Sequence, residues 1–330
     1  MTAQTFWKKG AEFLNSKHAI MCGAMSWVSE HRLVAAISNA GGFGIIACGS
    51  MNPELLDKEI KATQALTKCA FGVNLITMHP QIEDLAQICI KNKVTHVVLA
   101  GGLPKSITIN ALKEHGIKVI CFAPAASLAK RLIKMGADAI IIEGMEAGGH
   151  IGPVSTSVLA QEILPHITEV PVFVAGGIGG GEMIASYLRM GASGCQLGTR
   201  FVCATESIAH PKFKQAFIKA SARDAVSSVQ IDPEFPVIPV RALANKASED
   251  FARVQVKTID EYRSGKLSKE EAQLQIEHYW AGALRRAVID GDIENGSVMA
   301  GQSVGMVKCE QSAQEIIDEI VAQVNKSLAQ

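Results

Sequence analysis

The chain carries no excess of either charge: 32 Lys and Arg balance 32 Asp and Glu over 330 residues. That balance leaves no broad basic face and argues against nucleic acid as a partner. No C-x-x-C pair occurs among its eight cysteines, Cys22, Cys48, Cys69, Cys89, Cys121, Cys195, Cys203 and Cys309. Scattered thiols in apolar runs argue against a zinc site and a disulfide framework. They read as reduced, mostly buried thiols of a cytoplasmic protein. No stretch approaches the ~20 apolar residues of a membrane span, and the opening "MTAQTFWKKGAEFLNSKHA" has no apolar signal core. A dinucleotide fingerprint is missing too, because "GGFG" and "GGIGGG" do not form G-x-G-x-x-G after a first strand.

What is present is a large apolar fraction, 48% against 19% charged, and a repeated phrase. An amphipathic helix ends at glycine and a short apolar strand follows. "LVAAISNAGGFGIIA", "ALKEHGIKVICFA", "RLIKMGADAIIIEG" and "YLRMGASGCQLGTRF" all read this way. Glycine suits the left-handed residue at a helix C-terminus. Near-continuous apolar strands suit a parallel sheet buried on both faces. Strands are predicted at 20–23, 44–47, 71–75, 96–100, 119–123, 139–143, 172–175 and 194–197. Eight alternating β/α units predict an α/β fold, a closed (β/α)8 TIM barrel over residues 1–204. Residues 205–275 are more polar, include "DPEFPVIPVRALANK", and are read as a mainly helical insertion or lid. Residues 276–330 are read as C-terminal helices and a Gly-rich loop packing back on the barrel. Ser268 with Glu271, and Ser312 with Glu315, have capping-box spacing. Ile316, Ile317, Ile320, Val321 and Val324 form an apolar stripe for the core.

Function in such a barrel collects at the C-terminal strand ends. Gly23 and Ala24 after the first strand admit a ligand against bare backbone, or simply a tight turn. Asn74 stands inside an apolar run and needs a partner from protein, water or ligand. Glu143 ends the sixth strand, and Gly148 and Gly149 then precede His150 on the loop over the mouth. Histidine titrates near neutrality and suits general acid/base work; no neighbour gives it metal spacing. After the seventh and eighth strands come "VAGGIGGG" and "QLGTRF". Gly177, Gly179, Gly198 and Thr199 there suit a phosphate nest. Arg200 reads either as a phosphate ligand or as one half of a structural ion pair. The residues do not distinguish a flavin phosphate from a sugar phosphate. A flavin-free phosphate-binding barrel, sensor or lyase, stays open on this reading. The strand ends show no obvious lysine or carboxylate pair for an aldolase or isomerase, which favours a cofactor that brings its own chemistry.

The stretches "AGGFGII", "GVNL", "EGMEAGGHIG", "AGGI" and "GASGCQLGTRF" resemble the nitronate monooxygenase superfamily, whose members are FMN-binding (β/α)8 barrels. "GMEAGGHIG", "GTRFVCATESIAHPKFK" and "NGSVMAGQSVGMV" narrow the resemblance to the FMN-dependent enoyl-acyl-carrier-protein reductase II branch. It spans about residues 18–320. The resemblance implies FMN as cofactor, with Gly23, Ala24 and Met25 facing its ring. Asn74 and Glu143 would hydrogen-bond the flavin, and Gly148 and Gly149 would lie along it. Gly177, Gly179, Gln196, Gly198 and Thr199 would take the phosphate, and His150 would be catalytic. Loop 297–302 would close the site, with a monovalent cation near Ser297 and Ala300. NADH or NADPH would be the reductant and an enoyl thioester, free or on acyl carrier protein, the substrate. A homodimer is expected. Nitronate oxidation with FMN and O2 is the alternative within the same superfamily. One departure is Cys22-Gly23-Ala24, where the pattern usually has two glycines; the Ala24 methyl narrows the approach to the ring.

Overall fold

A computed structural model describes residues 2–235 and 237–330. The barrel strands are β1 (Ile20–Cys22), β2 (Ile45–Ala47), β3 (Gly72–Ile76), β4 (His96–Ala100), β5 (Lys118–Phe122) and β6 (Ala139–Glu143). A two-residue strand β7 (Gly149–His150) stands outside the barrel, which continues with β8 (Val172–Ala175) and β9 (Gly194–Leu197). All eight barrel strands are parallel, in the order β1-β9-β8-β6-β5-β4-β3-β2. A parallel bridge between Met21 and Phe43 joins the two ends. Ile140, Ile141 and Ile142 of β6 have no exposed surface, as expected of a strand covered on both faces.

The glycines between helix and strand do what the repeated phrase implied. Gly191 has φ +105° and no atom within 4 Å of a hypothetical Cβ, so the requirement there is purely conformational. Its N–H donates to the Leu188 carbonyl, and the next N–H donates to that of Tyr187, closing the helix Gly181–Arg189.

The helix Lys8–Leu14 covers the N-terminal end of the barrel. Gly10 packs so tightly on the Ser193 carbonyl that a Cβ would collide with it. The Phe13 carbonyl accepts from His96 at the start of β4. Burial holds the His96 imidazole down at about 4, so it stays neutral there.

Beyond β9 the chain leaves the barrel. Helix Pro211–Lys219 leads to β10 (Ala225–Ser227) and β11 (Val240–Leu243). These form an antiparallel three-stranded sheet with β7, in which Val240 pairs with His150. Helices Lys246–Arg263 and Lys269–Val288 follow and share an apolar cluster of their own, including Phe235, Phe251, Ile276 and Trp280. The inserted segment is therefore two helices stitched to the barrel by a small sheet, and residue 275 lies inside a helix. The two expected capping boxes are formed, with Ser268 accepting from Glu271 N–H at 3.1 Å and Ser312 from Glu315 N–H at 3.2 Å.

The last helix, Ala313–Leu328, packs against helices Gly181–Arg189 and His31–Asn39. It fills the outer-ring place that a helix directly after β9 would take. Ile316, Ile317, Ile320 and Val324 are buried, and Val321 is half-buried at the edge of the stripe.

Candidate active site

Strand register gathers the predicted residues at one end of the barrel. Met21 pairs with Gln196, Gln196 with Ala175, and Ala175 with Glu143. The loops after β1, β9, β8 and β6 therefore leave the barrel side by side. Asn74 lies on β3, across β2 from this group. Asn74 and Gln196 are both buried, 6% exposed, and their amides have no hydrogen-bond partner among the described residues. Amides without a protein partner at a strand end, not fully sealed from solvent, suit the polar groups of a ligand.

After β1, Gly23 is held by the protein itself. Its N–H donates to Leu197 at 2.8 Å, and its carbonyl accepts from Ser29 Oγ at 3.0 Å. A Cβ on Gly23 would lie 3.3 Å from the Gly198 Cα, so the two loops touch through bare backbone. Ala24 and Met25 are half-buried. A cavity of about 370 Å³ opens next to this loop, lined by Trp27, Ala47, Met51, Ile208 and Arg285 among others.

After β8, the N–H groups of Gly176, Gly177, Ile178, Gly179 and Gly180 find no acceptor among the described residues. Those of Gly198 and Thr199 after β9 are free in the same sense. Two sets of unpaired donors on neighbouring strand ends suit a phosphate dianion. Thr199 Oγ1 accepts from Gly301 N–H at 3.0 Å, which leaves its own proton to donate. Gly177 has φ +71°, and a Cβ there would lie 2.9 Å from that of Glu146. At Gly179 it would collide with the Met306 sulfur. These glycines thus meet packing demands as well as leaving donors exposed.

Gly148 has a structural reason that the sequence did not give. A Cβ there would lie 2.5 Å from Gly301 N and 2.6 Å from the Ala300 carbonyl carbon. Its bareness admits loop 297–302 against loop 144–149. Gly149 has φ +78° and only Met299 Sδ nearby, at 3.6 Å, so its demand is conformational. Ser297 and Ala300 are each 1% exposed, and Ser297 Oγ is buried without a partner.

Glu143 ends β6, partly buried, and desolvation pushes its carboxyl up to about 7; the charge of nearby His150 acts in the opposite sense. Near neutral pH it is therefore divided between a carboxylate that accepts and an acid that donates. His150 keeps 44% of its side chain exposed, and its Nε2 meets Glu277 of helix Lys269–Val288.

Of its two candidate tasks, Arg200 takes part in an ion pair. It is 4% exposed, and its Nη2 donates at 2.7 Å to both Gln311 Oε1 and Glu319 Oε2. It fastens the last helix to the barrel.

Sequence reading missed three contributors. Glu146 accepts from Thr156 N–H at 2.9 Å and Oγ1 at 3.0 Å, while its carbonyl accepts from Gln302 N–H at 2.9 Å. It binds the β6 loop to the next helix and to loop 297–302. Arg241, 4% exposed, donates to the carbonyls of Met145 and Ala225. Burial lowers its guanidinium below the usual value, opposed by the Glu146 charge. Glu277 is the third. Only the position of Glu146 inside "EGMEAGGHIG" was a local signal; the other two partners are about a hundred residues away.

The family described as nitronate monooxygenase matches residues 8–91 and 85–323 of the chain. FabK from Thermotoga maritima superposes with a TM-score of 0.86 at 37% identity, over 97% of this chain and 96% of that one. A (3aS,4S,5R,7aS)-5-hydroxy-7a-methyl-1-oxo-octahydro-1H-indene-4-carboxyl-CoA dehydrogenase from Rhodococcus jostii is 30% identical, over 96% of this chain and 95% of its own. A probable nitronate monooxygenase from Staphylococcus saprophyticus is 27% identical, over 95% and 96%. The barrel, the donor-lined strand ends and a family match along nearly the whole chain converge: this chain belongs to the nitronate monooxygenase family, whose members are FMN oxidoreductases.

Proposed function

We propose that the chain is an FMN-dependent enoyl-acyl-carrier-protein reductase of type II, using NADH or NADPH to reduce a trans-2-enoyl thioester. The observation that carries this reading is the likeness to FabK, an enoyl-ACP reductase II, at 37% identity over 97% of the chain. The carboxyl-CoA substrate named for the Rhodococcus jostii relative adds a second thioester among the similar proteins.

Bound FMN supplies hydride transfer from the nicotinamide to the β-carbon of the substrate. The chain's own residues bind, orient and move protons. The unpaired N–H groups after β8 and β9, with the Thr199 hydroxyl, hold the phosphate. The amide of Asn74 and the carboxyl of Glu143 would satisfy the polar edge of the ring, and the amide of Gln196 would join the phosphate site. Gly23, Ala24 and Met25 border its face. His150, directly or through a water that it orients, protonates the α-carbon. Loop 297–302 shields the site, and the buried Ser297 Oγ, with the Ala300 carbonyl, is where a monovalent cation would add its charge.

Nitronate oxidation is the second reading, favoured by the Staphylococcus saprophyticus relative. Two assays on the FMN-loaded protein separate them: NAD(P)H oxidation with crotonyl thioester, and O2 uptake with an alkyl nitronate. Turnover in the first is expected. Turnover only in the second overturns the reductase reading. His150→Ala is expected to retain FMN and lose about 10²-fold or more in kcat.

A further inference from the structure

We propose that Glu277 is the positioning residue for His150 and fixes which ring nitrogen exchanges a proton with the substrate. The proton acceptor in this proposal rests on the reductase reading above; the positioning itself does not.

His150 needs such a partner. It lies on the two-residue strand β7 with 44% of its side chain exposed, so packing alone does not set the ring. Its Nε2 lies 3.2 Å from Glu277 Oε1 and 3.1 Å from Oε2. A carboxylate only accepts, so Nε2 carries the hydrogen and donates. That assigns the neutral ring to one tautomer and leaves Nδ1 as the nitrogen with a lone pair.

Glu277 is itself well anchored. It follows Ile276, 1% exposed, and precedes Trp280, 2% exposed, by three residues on helix Lys269–Val288. Both belong to the apolar cluster of the inserted helices. The same inserted segment pairs Val240 of β11 with His150 through the backbone. The inserted segment therefore grips the histidine twice, once at its main chain and once at its ring. Glu143, at the end of β6, is close enough for its carboxyl to feel the charge of His150.

The chemistry follows from the tautomer. When a hydride is delivered to the β-carbon, the C=C π bond breaks and its electron pair moves to the α-carbon. The Nδ1–H of protonated His150 gives its proton there and a C–H bond forms. The ring is left neutral with its remaining hydrogen on Nε2, held by Glu277, and Nδ1 regains a proton from water. A ring free to flip presents the wrong nitrogen for part of the time.

The test uses FMN-loaded protein with ring-15N histidine, in which long-range proton–nitrogen correlations report each tautomer. The His150 signal is identified by its loss in His150→Gln. We expect the neutral His150 to be the Nε2–H form in the wild type. Glu277→Ala is expected to give a tautomer mixture and about a tenfold or greater fall in kcat, with KM changed less than about twofold. Glu277→Gln, whose amide oxygen still accepts, is expected to restore the tautomer and most of kcat. An unchanged His150 tautomer in Glu277→Ala overturns the proposal. The expected tautomer change in a protein whose wild type reduces no enoyl thioester supports the positioning and removes the reductase reading instead.

Discussion

Glu143 follows three isoleucines that see no solvent, and its own carboxyl has no hydrogen-bond donor among the described residues. Desolvation therefore raises it from 4.5 to about 7. A carboxyl raised on folding holds its proton more tightly in the native state. Its contribution to stability is complete below about pH 4.5 and is lost as pH rises toward 7. Because the group keeps some contact with water, the loss is roughly 1–3 kcal/mol. Flavin-free Glu143→Gln is expected to melt a few degrees above wild type at pH 8 and to converge with it by pH 5. Equal melting temperatures at both pH values would show that the carboxyl is not desolvated. The acid at the strand end was legible in the sequence, but its altered acidity was not, since that depends on what encloses it. The same holds for Arg200. Its two candidate tasks could not be separated until Gln311 and Glu319 were seen at its tip.

Between elements, one close contact at the site is backbone on backbone. Loop 297–302 lies against Gly148 and is tied to Thr199 through Gly301. Gly148→Ala sets a methyl against main-chain atoms that have no rotamer to yield, so the loop must move. A loss of about 1–3 kcal/mol is expected in urea unfolding, with faster proteolysis at loop 297–302. Gly152→Ala is the control, since a Cβ there meets nothing within 4 Å and its φ is outside the left-handed region. It is expected to change stability by less than about 0.5 kcal/mol. If the two variants are equally stable, the close approach at Gly148 is not rigid. The strands themselves were readable because burial on both faces writes a continuous apolar run. The predicted 96–100, 139–143, 172–175 and 194–197 coincide with β4, β6, β8 and β9. β7, β10 and β11 were not readable: none is a continuous apolar run, reading only GH, AVS and VRAL, and β7 pairs with β11 across 90 to 92 residues.

For the whole molecule, the burial pattern makes a prediction about its thiols. Cys22, Cys48, Cys89, Cys121, Cys195 and Cys203 are buried, whereas Cys69 and Cys309 are exposed. Desolvation pushes the buried thiols up, to about 12 for Cys22, Cys48, Cys121 and Cys203. A thiol reagent at pH 8 should therefore find two reactive groups in the native protein and eight after denaturation. Cys69→Ser combined with Cys309→Ser should leave none before denaturation. Fast reaction of more than two would mean that the barrel opens readily. The chain also holds no helix long and apolar enough to cross a membrane among the described residues.

The sequence by itself determined the barrel, the ends of its strands and the glycine-rich loops, because each rests on a local rule. Apolar periodicity, a left-handed residue at a helix end and bare N–H groups near a strand end are all written in consecutive residues. Tertiary structure alone decided that the last helix completes the outer ring, that Arg200 holds that helix, and that Glu277 meets His150. Each of these joins residues about a hundred or more positions apart, and no local pattern encodes a partner that only the closure of the barrel brings within reach.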